Sequence, residues 1–190
     1  MLNDLILSLS SVSLFCLFAW AIRNHFAGMS IPSGMKIVMA MSSLGLAVFL
    51  ITLWMTPPSP WLTLTSLSIQ FFSFLIFMLS LKSSVAHQQF LAFSDEDPLC
   101  LIENGIYNYV RHPFYTSYIL FWLACFAGAP TVATLLILII LTTLYVTAAR
   151  KEEASFLGTR FAESYARYRS RVGMFIPKLG LPPVMRNDPR

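Results

Sequence analysis

The sequence predicts an all-α integral membrane protein: about five transmembrane helices followed by a cytoplasmic C-terminal amphipathic helix. Three observations carry that expectation. Of 190 residues only 12% are charged and 56% are hydrophobic, whereas a soluble domain is about one quarter charged. Residues 5–22, 37–55, 61–81, 114–129 and 131–149 contain no charged side chain. All 13 Lys and Arg fall in alternate gaps between those runs, on one side of the implied membrane. Such a composition excludes an intrinsically disordered chain, a disulfide-stapled secreted domain and a soluble nucleic-acid binder.

Each run is justified by its length. A bilayer core of about 30 Å needs roughly 20 helical residues. The runs of 18, 19, 21 and 19 residues meet or approach that, and the fourth, 16 residues long, must borrow from its flanks. The first run resembles the apolar core of a signal peptide, with Ala19-Trp20-Ala21 in the form of a cleavage site. It is preceded by Asp4 and by no Lys or Arg, so it reads as a retained membrane helix. Pro57, Pro58 and Pro60 force a tight turn between the second and third runs, and Gly128-Ala129-Pro130 does the same between the fourth and fifth. Two helical hairpins result.

Topology follows from the basic residues, which accumulate in cytoplasmic loops. Arg23 and Lys36 lie between the first two runs, Lys82 and Arg111 between the third and fourth, and the other nine follow the fifth. With the N-terminus outside and the C-terminus cytoplasmic, all 13 are inside. Charged chemistry must then be built in the two cytoplasmic polar regions, residues 82–111 and 150–190. Leu157, Phe161, Tyr165, Tyr168 and Val172 recur at helical spacing, with Arg160, Glu163, Arg167, Arg169 and Arg171 mainly off that stripe. That pattern predicts an amphipathic helix of about 20 residues. Pro177, Pro182, Pro183 and Pro189 make the remainder an extended tail. Cys16 and Cys125 lie in apolar runs and Cys100 in a polar loop, with no spacing that suggests a metal or a pairing.

Two constellations carry chemistry. Residues 104–115 place Gly105, Tyr107, Tyr109, Arg111, His112 and Tyr115 at the cytoplasmic mouth of the fourth run, with Pro113 suited to the first helical turn. Free backbone donors beside Arg111 suit an anion such as a carboxylate. The same cluster also reads as an interfacial aromatic belt with a snorkelling arginine. Arg150-Lys151-Glu152-Glu153 sits at the cytoplasmic end of the fifth run, where a helix dipole disfavours carboxylates. Taken alone, that acidic pair also suits a solvated charge run. A hairpin brings its two ends out on one side, which predicts that Glu152 and Glu153 emerge near His112 and Pro113.

GIYNYVRHPFYTSY, followed about 40 residues later by EEASFLGTRFAESYARYRSRVGMFIP, resembles the paired signature of the isoprenylcysteine carboxyl methyltransferase and phospholipid methyltransferase group. The likeness extends over residues 99–177, and the first three runs match compact prokaryotic members in number and hydropathy. The resemblance implies S-adenosyl-L-methionine as methyl donor, an amphiphilic acceptor entering from the lipid bilayer, and a bacterial inner-membrane location. It implies a three-helix part over residues 1–82, a cofactor-binding catalytic part over 83–178 and a tail over 179–190. It also implies donor contacts at Leu99, Cys100, Leu101, Ile102, Gly105, Tyr107, His112, Pro113, Phe114, Tyr115, Glu152 and Glu153, with Gln88 or Gln89 as a further polar contact. Arg111, Arg150 and Tyr115 would face the acceptor. One departure stands out: the arginine that in the prenylcysteine enzymes precedes the acidic contact by four residues is Ala149 here, and Arg150 is one position late. Membrane sterol reductases, which bind NADPH, offer an alternative through similar last helices. They favour an asparagine after the proline and an Arg-Asp pair, where this chain has Phe114 and Glu152-Glu153. A non-catalytic scaffold or transport subunit is a third reading, opposed by the scarcity of ionisable groups within the spans.

Overall fold

Residues 2–24, 31–84 and 100–178 are described by a computed structural model. They form six α-helices: α1 (Leu2–Asn24), α2 (Ser33–Met55), α3 (Pro60–Ser84), α4 (Pro113–Gly128), α5 (Val132–Ser155) and α6 (Ala162–Arg171). A 3-10 turn (Gly105–Asn108) precedes α4. Among the described residues the one β-type pairing is an isolated parallel bridge between Val110 and Gly173. Helices α1, α2, α3 and α5 are each long and apolar enough to cross a membrane, which makes this an integral membrane protein; α4 has 16 residues.

A helix in lipid satisfies its own backbone, so what remains to be settled is which faces pack. On α3 the buried positions Thr63, Ser66, Gln70, Ser73, Phe77, Ser80 and Ser84 recur every three or four residues, giving one face made mostly of serine and threonine. α4 lies against that face: Ser66 Oγ donates to the Ala124 carbonyl at 2.8 Å and Ser73 Oγ to that of Ser117 at 2.7 Å. From the same face of α3, Gln70 Nε2 donates to Ser11 Oγ of α1 at 3.0 Å. α4 and α5 form the expected hairpin, with the turn at residues 129–131 capped by reciprocal bonds between Thr131 and Thr134. α2 is held to the hairpin at Tyr145, whose hydroxyl accepts from Trp122 Nε1 at 3.2 Å and lies 3.4 Å from Ser42 Oγ. The apolar core is largely aromatic: Phe18, Phe77, Phe114, Tyr118, Phe121 and Trp122 pack together between α1, α3 and α4. Exposed Trp20, Trp54, Trp61, Phe71 and Phe72 cover the outside, as a lipid-facing surface requires.

The C-terminal helix is shorter than the periodicity predicts. α5 runs on through Glu152 and Glu153 to Ser155, residues 156–161 turn, and α6 spans ten residues. The break sits at Gly158-Thr159, where Thr159 Oγ1 donates to the Phe156 carbonyl and accepts from the Phe161 amide. A side chain that bonds the local backbone in this way competes with helix continuation. Leu157, expected on the apolar stripe, is exposed in that turn, while Phe156 stacks on Tyr165 with ring centroids 4.5 Å apart.

Candidate active site at the mouth of the last hairpin

The end of α3, the start of α4 and the end of α5 converge on one side of the bundle. Gly105 adopts φ 56°, in the left-handed region, and a Cβ there would lie 2.1 Å from Ser83 Oγ, so glycine is needed for the loop to cross the end of α3. The Ile106 amide donates to the same Ser83 oxygen at 3.3 Å. Tyr107 is buried, and its carbonyl accepts from Tyr168 Oη of α6 at 2.7 Å. Pro113 then opens α4 at its first position, and Thr116 Oγ1 bonds back to the His112 carbonyl.

The charged cluster is bonded throughout. Arg111 Nε and Nη2 both donate to Glu153 Oε1, at 2.9 and 2.7 Å. Arg111 Nη1 donates to the carbonyls of Val172 and Arg169, at the end of α6. His112 Nε2 lies 3.2 Å from Glu153 Oε1, and its Nδ1 lies 3.4 Å from Glu152 Oε2. Arg169 Nε approaches Glu153 Oε2 at 3.6 Å. Tyr115 Oη donates to Glu152 Oε1, and the Tyr115 ring stacks between those of His112 and Tyr145. Burial opposes protonation of His112, but its bonds to Glu152 and Glu153 outweigh that, and its pKa is raised.

A backbone strap closes the cluster from the C-terminal side. The Arg111 amide donates to the Gly173 carbonyl at 2.8 Å, the His112 amide to that of Met174 at 3.1 Å, and Thr116 Oγ1 to that of Phe175 at 3.2 Å. The Phe175 ring lies on His112. A Cβ on Gly173 would sit 1.8 Å from the Ile176 carbonyl oxygen, so the strap needs glycine to fold back there.

His112, Tyr115, Glu152 and Glu153 thus meet, while the other expected residues are distributed around them. Phe114 and Pro113 are buried at the start of α4, with Phe114 packed on Phe77. Ile102 is buried, Leu101 is half-buried against Tyr165, Tyr168 and Val172, and Cys100 is half-buried with its thiol pKa raised by desolvation. Leu99, Gln88 and Gln89 lie outside the described residues. Arg111 and Arg150, both expected to face the acceptor, differ in placement. The Arg111 guanidinium is buried, and each of its nitrogens donates to Glu153 or to the carbonyls of Arg169 and Val172. Arg150 is exposed, one position after the buried Ala149 and three before the buried Glu153 on α5, and forms no ion pair among the described residues. Arg169, Tyr168 and Phe175 join the site without having been foreseen. Only the Tyr165/Tyr168 stripe signalled that α6 packs here.

A bundle of apolar helices that buries Arg111 and Glu153 at the mouth of its last hairpin is an integral membrane protein with a polar cluster at one end. The chain belongs to the phospholipid methyltransferase family, whose model matches residues 61–164, more than half of its length. That match runs from the start of α3 into α6 and contains Arg111, His112, Tyr115, Glu152 and Glu153. A methanethiol S-methyltransferase of Crocosphaera subtropica is 35% identical over 96 residues, covering 49% of this chain and 36% of that relative. The chain thus matches about a third of the length of that relative.

Proposed function

We propose that the protein is an S-adenosyl-L-methionine-dependent methyltransferase acting on an amphiphilic acceptor at the cytoplasmic face of a bacterial inner membrane. The observation that carries this reading is that both halves of the polar cluster fall within the segment matched to the methyltransferase family. The residues suit the donor chemically. A sulfonium is attracted by tyrosine faces, with Tyr107 the candidate here, and carboxylates suit ribose hydroxyls and the amino group. Glu153 is the acidic donor contact in this reading, oriented by Arg111 and His112, with Ile102, Pro113 and Phe114 as apolar wall. The donor supplies an activated methyl group, so the protein's task is largely alignment. By its name the relative acts on methanethiol, and we extend a thiol acceptor to this chain.

In the same reading α4 is a fifth, short span, residues 1–82 anchor the site, residues 83–178 form it, and residues 179–190 are a tail. Equilibrium binding to the purified full chain in detergent tests the reading, with S-adenosyl-L-methionine, its demethylated product and NADPH as ligands. Saturable binding of the first two is expected; binding of NADPH alone overturns it in favour of a reductase.

A further inference from the structure

Both ring nitrogens of His112 face carboxylate oxygens: Nε2 lies 3.2 Å from Glu153 Oε1 and Nδ1 lies 3.4 Å from Glu152 Oε2. A neutral imidazole carries one N–H and donates to only one of them, whereas the imidazolium donates to both. The ring is held in that position, stacked on Tyr115 and covered by Phe175. This geometry calls for a cation at His112, in agreement with its raised pKa. The inner cluster is then balanced, with Glu152 and Glu153 against Arg111 and His112. Around it, α5 places exposed Arg150 and Lys151 just before the acidic pair, and α4 contributes the Tyr115 hydroxyl, which donates to Glu152. α6 contributes buried Tyr165 and Arg169, whose largely exposed side chain approaches Glu153 at 3.6 Å, while Lys178 is turned to the Arg169 and Ser170 carbonyls. The two inner cations differ in one respect. Arg111 keeps its charge at any physiological pH and is fixed by Glu153 and the Val172 and Arg169 carbonyls, whereas an imidazolium can give up its proton.

We propose that His112 discriminates the methyl donor from its demethylated product by exchanging its ring proton for the donor's positive charge. The proposal rests on the methyltransferase reading above. Donor and product share their adenosine, amino and carboxylate groups and differ in the methyl group and in the sulfonium charge, which the product's thioether lacks. A sulfonium brought to the balanced cluster is a third cation beside two carboxylates, and like charges in a desolvated site disfavour each other. Release of the His112 proton to water restores the balance. The neutral ring then donates to one carboxylate and leaves the other to the donor. Product brings no charge at sulfur, so the imidazolium stays in place when it binds. The sign of the pH dependence follows: a proton leaves when the donor binds, so donor affinity rises with pH until the ligand-free ring is itself deprotonated, and product affinity does not follow it. Methyl transfer removes the sulfonium charge, and His112 takes a proton back from water.

The experiment measures equilibrium binding of S-adenosyl-L-methionine and of its demethylated product to the purified full chain in detergent, from about pH 6 to about pH 8.5, the range a raised histidine spans. The ratio of donor to product affinity should rise about fivefold or more across that range in wild type and stay within about twofold in His112→Gln. The ligands' own amino groups titrate alike against both proteins, so the comparison isolates the ring. A flat ratio in wild type, or an equal rise in His112→Gln, overturns the exchange and leaves the methyltransferase reading standing. Failure of wild type to bind either ligand removes that reading itself, and the exchange with it. A second measurement does not depend on His112→Gln folding. In His25→Gln/His87→Gln, which leaves His112 as the single histidine, isotope-labelled imidazole should show the magnetic-resonance signature of the doubly protonated ring near about pH 6.5, keep it with product bound and lose it in saturating donor. A ring that is neutral without ligand, or doubly protonated in all three states, overturns the proposal.

Discussion

Arg111 carries its charge inside the protein, and Glu153 is the carboxylate that neutralises it, so the cost of losing Glu153 is set chiefly by what it leaves behind. Glu153→Ala strands a buried guanidinium with two unused donors. Breaking a buried pair from one side typically costs about 3–5 kcal/mol, whereas replacing both partners by apolar groups is often neutral. Glu153→Ala should therefore lower the unfolding midpoint in detergent sharply, and the double variant Glu153→Leu/Arg111→Met should recover most of that loss. His112 makes a second, pH-dependent contribution. Its folded pKa lies above the ordinary value of about 6.5, since Glu152 and Glu153 favour the imidazolium more than burial opposes it. A raised pKa stabilises the fold fully below the unfolded value, and that stability is lost as pH rises through the folded value. The difference in melting temperature between wild type and His112→Gln should accordingly be larger near pH 6 than near pH 9, roughly the span over which a moderately raised histidine titrates. A difference independent of pH would mean that His112 acts by packing alone.

At the scale of elements, α3 shows how a hydrophobic run acquires a partner. Its serine and threonine face allows α4 to come close, and Ser73 Oγ reaches the Ser117 carbonyl. Interhelical hydrogen bonds in membranes average only about 0.6 kcal/mol, so Ser73→Ala should be mild. Ser73→Leu inserts volume at a fully buried position and should cost on the order of 1–3 kcal/mol, read as a lower melting temperature in detergent. The runs, the proline turns and the α4–α5 hairpin were legible in sequence because length, charge and Pro/Gly placement are local signals. The extent of α6 was not, because the periodic stripe passes through Gly158 and Thr159, whose effect depends on which turn Thr159 bonds. The site was legible in part for the same reason. Hairpin topology alone implies that His112 and Glu153 meet. That Arg111 turns inward, however, depends on Val172 and Arg169 carbonyls some 60 residues away in the chain, and periodicity carries no information about such a pairing.

For the molecule as a whole, the distribution of charge and the position of the site reinforce each other. The links at residues 56–59 and 129–131 cap one end of the bundle and contain no charged residue, whereas Arg23, Lys36, Lys82, Arg111 and the cluster around Glu153 lie at the other. Because short loops rich in Lys and Arg remain cytoplasmic, the site should face the cytoplasm and the links the outside. Pro57 and Ile176 are exposed probes of the two ends; Pro58 is buried and unsuitable. In intact cells a membrane-impermeant thiol reagent should label Pro57→Cys, and should label Ile176→Cys only after the membrane is opened, with the native cysteines replaced by serine or alanine. Inverted vesicles should exchange the two results. Labelling of Ile176→Cys in intact cells would place the charged mouth outside, beyond the reach of a cytoplasmic methyl donor, and the proposed chemistry would then have no supply of its co-reactant.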